Sequence, residues 1–210
     1  MHPGLIIEVP PTRATYDFLF NWYLFFGTGA AIIVISLLAY FMIRYRSRGE
    51  SGPAPEHKVE GWKIVLVTVL ISVGVLTAAQ YQTFAAFSNI EMPNDPNAVH
   101  IQVKGFQWGW NFTYPNGDYR VGNLTVPAGR TVILDITSRD VFHAFGISSL
   151  AVKEDAIPGK VNHLWFMVPD PGFHKNAIRC FELCGVGHVF MVADLTVVSQ
   201  ASWDAWMGGA

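Results

Sequence analysis

The sequence predicts a membrane-anchored α+β protein: two transmembrane helices in a hairpin, followed by a β domain of the sandwich or Greek-key barrel type. Three observations carry this. Two long runs carry no charge, only 14% of the 210 residues are charged, and alternating apolar residues with turn signals begin near residue 99. A soluble domain usually carries about 25% charged residues, so part of this chain is expected to face lipid.

The first run, Phe18 to Ile43, has 26 residues without a charge, and the second, Ile64 to Ile90, has 27. At ~1.5 Å per residue each helix reaches about 40 Å, more than the ~30 Å of a bilayer core. A soluble bundle helix of that length would show a polar face, and these show none. A cleavable signal peptide fits poorly, because Met1 to Asp17 lacks a basic start and the apolar run is too long. Both spans are therefore expected in the mature protein. Arg44, Arg46, Arg48, Lys58 and Lys63 lie in the stretch between the runs. Such a short basic loop stays cytoplasmic, which places both termini outside. Gly49, Gly52, Pro53 and Pro55 mark it as a turn between antiparallel helices. Trp22, Tyr23, Trp62 and Tyr81 lie near the ends of the runs, where rings suit the headgroup layer or simple helix packing.

The Pro93-Asn94-Asp95-Pro96-Asn97 cluster reads as a linker. Val99, Ile101 and Val103 then alternate with His100, Gln102 and Lys104. Strand-like runs follow at 131–137, 161–168 and 189–198, between turns at Pro115-Asn116-Gly117, Pro127-Ala128-Gly129, Pro158-Gly159 and Pro169-Asp170-Pro171-Gly172. Short strands at this spacing indicate a sandwich or Greek-key barrel. The expected division is 1–90 for the arm and helix hairpin (spans about 18–43 and 64–90), 91–200 for the β domain and 201–210 for a C-terminal tail. Trp203 and Trp206 in that tail either dock on a partner or pack. The pI near 6.4 and the lack of a basic stretch argue against nucleic acid.

The specific chemistry sits in Cys180-Phe181-Glu182-Leu183-Cys184-Gly185-Val186-Gly187-His188-Val189-Phe190-Met191. Two thiolates, an imidazole and a thioether within twelve residues are soft donors that suit copper. Structural zinc would want four Cys or His donors, and an iron–sulfur cluster more cysteines than two. A Cys180–Cys184 disulfide is the plain alternative, and it leaves His188, Met191 and His143 unexplained. His100, His163 and His174 show no ligand spacing and read as surface or hydrogen-bonded histidines. Met42, Met92, Met167 and Met207 likewise read as lipid-facing, turn, core and tail residues. Asn111-Phe112-Thr113 and Asn123-Leu124-Thr125 are formal glycosylation sequons, a motif short enough to arise by chance.

Cys, then His, then Met before a last strand resembles the cupredoxins. With a second cysteine, the pattern Cys-x-Glu-x-Cys-x₃-His-x₂-Met resembles the binuclear copper motif, CuA, of cytochrome c oxidase subunit II. The segments Arg139 to Phe145, Lys153 to Gly159 and Gly105 to Phe112 are similar to that family as well, so the resemblance covers essentially the whole chain. It implies a cupredoxin-like Greek-key barrel outside the membrane. It also implies two copper ions bridged by Cys180 and Cys184, with His143 and Met191 completing one and His188 and the backbone carbonyl of Glu182 the other. The Glu182 side chain would reach a magnesium ion at the boundary with the catalytic subunit. Trp108 matches the position where electrons enter.

The implied function is the electron-input subunit of a haem–copper terminal oxidase. It takes electrons from a cytochrome c or blue-copper protein and passes them to haem in catalytic subunit I, where oxygen is reduced to water and protons are translocated. Haems would lie only in the partner. A nitric oxide reductase subunit and a copper-free quinol-oxidase-type subunit are the alternatives. The family's usual Trp-Tyr-Trp is Trp108-Gly109-Trp110 here. From Ser88 to Ala210 there are 11 acidic and 8 basic residues, a net of −3 that would steer a strongly basic cytochrome only weakly.

Overall fold

The computed structural model describes residues 11–46, 61–87 and 91–208. The basic and Pro/Gly residues at 47–60, on which the cytoplasmic-loop reading partly rests, lie outside the described residues, as does the end of the second span at 88–90.

The chain forms two compact units, one of residues 17–89 and one of residues 1–16 with 90–210. The first holds most of helix α1 (Pro11–Arg44) and all of α2 (Gly61–Phe87), both longer than a bilayer core requires. Their apolar side chains stand exposed around the helices, Phe25, Ile43 and Phe84 among them. In water that surface would favour collapse, whereas in lipid it is the required exterior. The helices run antiparallel. The Tyr23 hydroxyl near the start of α1 donates to the Ala79 carbonyl (3.1 Å) and meets the Thr83 hydroxyl near the end of α2.

The second unit is a β-sandwich, the expected fold class. Its strands are β1 (Val99–Phe106), β2 (Gly109–Thr113), β3 (Tyr119–Val121), β4 (Asn123–Pro127), β5 (Val132–Ser138), β6 (His143–Ile147), β7 (Val152–Ala156), β8 (Asn162–Phe166), β9 (Gly172–Cys180) and β10 (Val192–Val198). One sheet has the order β3-β2-β1-β5-β8 and the other β4-β10-β9-β6-β7. The β1/β5 and β4/β10 pairs are parallel, the rest antiparallel. Alternation decides the inner faces. Val99, Ile101 and Val103 of β1 are buried while His100, Gln102 and Lys104 point out, and Ala193, Leu195 and Val197 of β10 are buried. Trp110, Phe112, Leu134, Phe145 and Ile178 fill the space between the sheets.

Helix α3 (Gln200–Gly208) follows β10. Trp203 is buried, Trp206 lies 4.7 Å from the Tyr114 ring, and the Arg120 guanidinium covers Trp206 at 4.3 Å. These tryptophans pack on the domain. Asn111, in the first sequon, is largely buried on β2.

Candidate metal centre

Three strand ends converge at one pole of the sandwich. His143 opens β6, Cys180 closes β9 and Met191 stands just before β10. The Cys180 N–H donates to Met191 O (3.1 Å), which closes the base of the 181–190 loop, and the Phe181 N–H donates to Ala144 O (2.9 Å), which ties it to β6. Inside the loop, His188 N–H to Gly185 O and Met191 N–H to His188 O (both 3.1 Å) turn the chain so that His188 faces back toward the cysteines.

The donors meet. The Cys180 and Cys184 Sγ atoms are 3.9 Å apart, and both thiols are free. Cys180 Sγ lies 3.9 Å from His143 Nδ1 and 3.2 Å from the Glu182 carbonyl oxygen. Cys184 Sγ lies 3.5 Å from His188 Nδ1 and 3.7 Å from Met191 Sδ. His143, Cys180 and Cys184 are all buried, and their ligand atoms lie within 4.8 Å of one another. A disulfide needs its sulfurs at about 2 Å, so this geometry is not one. With metal–sulfur and metal–nitrogen bonds of ~2.3 Å and ~2.0 Å, donors around one tetrahedral ion stand ~3.5–3.8 Å apart. The spacings from Cys184 Sγ to His188 Nδ1 and Met191 Sδ fall in that window, those of Cys180 Sγ to Cys184 Sγ and His143 Nδ1 lie just above it and that to the Glu182 carbonyl just below, and the sulfur-rich set suits copper.

Two groups that sequence reasoning did not assign hold the donors in place. The Asp140 carboxylate lies 2.9 Å from His143 Nε2, on the far side of the ring from Cys180, so it fixes which nitrogen faces the thiols. Burial opposes the Asp140 charge, but hydrogen bonds from the Gln107 N–H, the His143 ring and the Val141 N–H hold its carboxyl down at about 2. Gln107 also donates through Nε2 to the Cys184 carbonyl (2.7 Å), the same oxygen that accepts from Trp108 Nε1 (3.1 Å). Burial, reinforced by the neighbouring Cys180 thiol, pushes the Cys184 thiol up to about 11. An aspartate three residues before a candidate ligand histidine was the available signal for Asp140. None pointed to Gln107.

Trp108 lies against the loop, partly exposed. Gly187 makes this approach feasible, since a Cβ there would run into the indole, and Gly185 sits at φ +115°, a conformation that suits glycine. At Gly109, where the family pattern has tyrosine, a Cβ would lie 2.7 Å from the Phe106 ring. Phe106 fills that space. The Glu182 side chain is half-buried on the loop. Leu183, Val186, Val189 and Phe190 form an exposed apolar rim around the donors.

Comparison with known proteins agrees in kind. The family described as "Cytochrome C oxidase subunit II, periplasmic domain" matches residues 119–198. The chain is 36% identical to heme-copper oxidase subunit 2 of Aeropyrum pernix, over 97% of this chain and 93% of that protein. It is 30% identical to cytochrome c oxidase subunit 2 of Alkalihalophilus pseudofirmus, over 85% of this chain and 54% of that one. Among solved structures, the periplasmic domain of cytochrome oxidase subunit II of Bradyrhizobium japonicum is 28% identical with a TM-score of 0.49, covering 58% of this chain and 96% of that domain.

Proposed function

The chain belongs to the haem–copper oxidase subunit 2 family, membrane-bound components of an oxidoreductase with an extracytoplasmic domain, and on that premise we propose that it is the electron-input subunit of its complex. The observation that carries this is the cluster of sulfur and imidazole donors, linked through Cys180 and Cys184 at 3.5–3.9 Å, that the 181–190 loop and the start of β6 bring together. His143 Nδ1 and Met191 Sδ would hold one copper, His188 Nδ1 and the Glu182 carbonyl a second, with the Cys180 and Cys184 thiolates shared between them. When bound, such a pair of ions takes up and releases a single electron with little change in its bonds. The chain's own residues keep that change small. Asp140 fixes the His143 ring, Gln107 and Trp108 pin the Cys184 carbonyl, and burial of His143, Cys180, Cys184 and Met191 excludes water. With every donor supplied by protein, such a centre would have no open position for a substrate on the metal ions.

Electrons would arrive at Trp108, whose indole is partly exposed and hydrogen-bonded directly to the loop, and leave toward haem in catalytic subunit I, where oxygen becomes water and protons are translocated. The Glu182 carboxylate, a hard oxygen donor at the loop surface, suits a magnesium ion shared with that subunit. The division into 1–90 as anchor, 91–200 as copper domain and 201–210 as tail is proposed with two adjustments: the start of α1 up to Tyr16 groups with the β domain, and the tail is helix α3 packed on that domain. The placing of both termini outside is supported by the first turn of α1, where the Thr12 hydroxyl donates to Leu150 O (2.9 Å) of the β domain's own unit. Arg44 and Arg46 at the other end of α1 fit a cytoplasmic loop.

The donor protein is a cytochrome or small blue-copper protein with an apolar contact face, because the loop's rim is apolar and the net charge beyond residue 87 is only −3. Fast turnover with a basic cytochrome c that collapses on adding salt would refute that choice of donor.

The decisive experiment is metal analysis and electron paramagnetic resonance on the full chain in detergent, loaded with copper. Two coppers per chain sharing one unpaired electron, lost in Cys180→Ser and Cys184→Ser, is the expected result. One copper with a mononuclear signal, or no tight copper, would overturn the reading.

A further inference from the structure

The net charge of −3 beyond residue 87 hides a local excess of the opposite sign beside Trp108. Strand register builds it. Lys104 points outward from β1 and is paired with Thr137 of β5, and two residues on the Arg139 N–H donates to Gly105 O (2.9 Å), where β1 ends. Ser138 bridges to Pro158, and Thr137 Oγ1 donates to Ile157 O (3.1 Å), so the 157–160 turn that carries Lys160 lies along the same edge. Lys104, Arg139 and Lys160 are all exposed, and none of them forms an ion pair among the described residues.

The acids nearby are occupied. Asp140 Oδ2 accepts from the Gln107 N–H, and Oδ1 accepts from the Val141 N–H and meets the His143 ring, so its charge is directed inward. Asp135 is held between His163 and His100, at 2.8 and 3.5 Å. Glu154 and Asp155 are half-buried on β7, in the other sheet. The three cations adjoin the apolar ground of the metal centre. The Arg139 guanidinium lies over Phe106 at 5.0 Å, Phe106 fills the space beside Gly109, and between these two residues Trp108 sets its indole against Gly185 and Gly187 of the loop. Val141 and Phe142 follow Asp140, both partly exposed.

Resting on the electron-input reading above, we propose that this strip and the exposed rings beside it dock an acidic electron-carrier protein. The carrier seats an apolar patch on Trp108 and Phe142 and sets carboxylates opposite Lys104, Arg139 and Lys160. Charge complementarity argues for this occupant. Unpaired cations flanking an apolar contact steer a partner of opposite sign into register and raise its encounter rate, while the apolar part supplies the contact itself. Lys104 and Arg139 stand roughly 8 Å apart along the backbone, a spread that matches a protein face better than one small anion. The same strip repels a basic carrier, which gives selection as well as attraction.

The test is equilibrium binding to the full chain in detergent, with two probes that share one haem: a basic cytochrome c, and the same cytochrome with its lysines succinylated so that its face is acidic. Both partners are kept oxidised, so no electron moves and the outcome is independent of the copper reading, which the paramagnetic signal judges alone. Saturable binding of the succinylated probe is expected, several-fold weaker as salt rises from about 20 to 200 mM, with the basic probe bound more weakly throughout. Lys104→Glu, Arg139→Glu and Lys160→Glu should each weaken binding of the succinylated probe about 3–10-fold. The control Lys175→Glu, on β9 of the other sheet, should leave it unchanged. Trp108→Ala should lower affinity alike at every salt concentration, the mark of an apolar contact. Tighter binding of the basic probe, no saturable binding of the succinylated one, an affinity indifferent to salt, or equal losses in Lys175→Glu and the three strip variants would overturn the proposal. The three cations are exposed, so their variants are expected to melt with the parent, and a thermal scan of each checks that.

Discussion

The two poles of the sandwich handle aromatic and apolar groups in opposite ways. At the pole of the metal centre, Leu183, Val186 and Phe190 are 81%, 91% and 77% exposed, and Trp108 lies on the surface. At the other, Trp203 is buried and forms an edge-to-face cluster with Trp206 and Tyr114, ring centroids 4.7–6.1 Å apart. Strand β1 joins the two, since Val99 lines the same hollow as Trp203 while Gly105 lies against His143. The difference teaches what each pole is for. The α3 pole has satisfied its own apolar surface and contributes stability. The loop pole keeps its apolar surface unburied and spends its hydrogen bonds on fixing a few donors, as a pole that meets other proteins would.

Substitutions at one pole should therefore leave the property of the other intact. The largest effect is expected for Cys180→Ser, which removes a donor shared by both copper positions. Copper should fall from two per chain to one or none, with the unfolding temperature of the metal-free protein close to that of the parent. Metal analysis beside a thermal scan checks it, and retention of two coppers would break the comparison. The reciprocal change is Trp203→Ala. Emptying a buried indole site costs about 3–5 kcal/mol, read as a lower denaturation midpoint, while the molecules that remain folded should keep their full copper. A copper loss matching the stability loss would show the poles to be one cooperative unit.

A smaller effect tests the supporting shell. Asp140→Asn keeps the shape around His143 Nε2 but removes the charge that orients the ring. Affinity for copper, measured by competition with a chelator, should fall about 10–100-fold, as losing such a partner typically costs. If affinity were unchanged, the loop alone would hold the donors, and the Gln107–Asp140–His143 connection would be structural only.

These two residues also mark where sequence reasoning stops. Helices without a polar face declare themselves through charge-free runs, and β1 and β10 through period-two alternation, because each has one face inward and one outward. Strand β6 is buried at every position and β2 at its three central ones, so alternation vanishes there and neither strand is legible. The ligands within the loop are close in sequence, which makes their pattern readable. His143 is 37 residues from Cys180, and it needed the family resemblance to be placed. Gln107 and Asp140 meet across 33 residues, through the end of β1 and the β5–β6 connection, and no spacing rule links them.

The smallest predicted effect lies at the α3 pole and depends on pH. The Thr125 N–H donates to the buried Tyr114 hydroxyl oxygen at 2.7 Å. Tyr114→Phe leaves that donor without its partner, a cost of about 1–3 kcal/mol. Burial also pushes the Tyr114 hydroxyl above its ordinary value of 10.0, the hydrogen bond from Thr125 and the charge of Arg120 opposing it only in part. The folded protein therefore keeps this proton at a pH where the unfolded chain has lost it. With fewer protons bound in the unfolded state, stability falls as pH rises. Tyr114 contributes fully below about pH 10, and its contribution is lost as pH climbs through the raised folded value. The stability gap between the parent and Tyr114→Phe should accordingly be constant from neutral pH to about 9 and narrow above 10, with copper content the same in both. A gap that widened in alkali would mean that the ionised tyrosine is accommodated when folded, and that the pole is wetter than its ring contacts indicate.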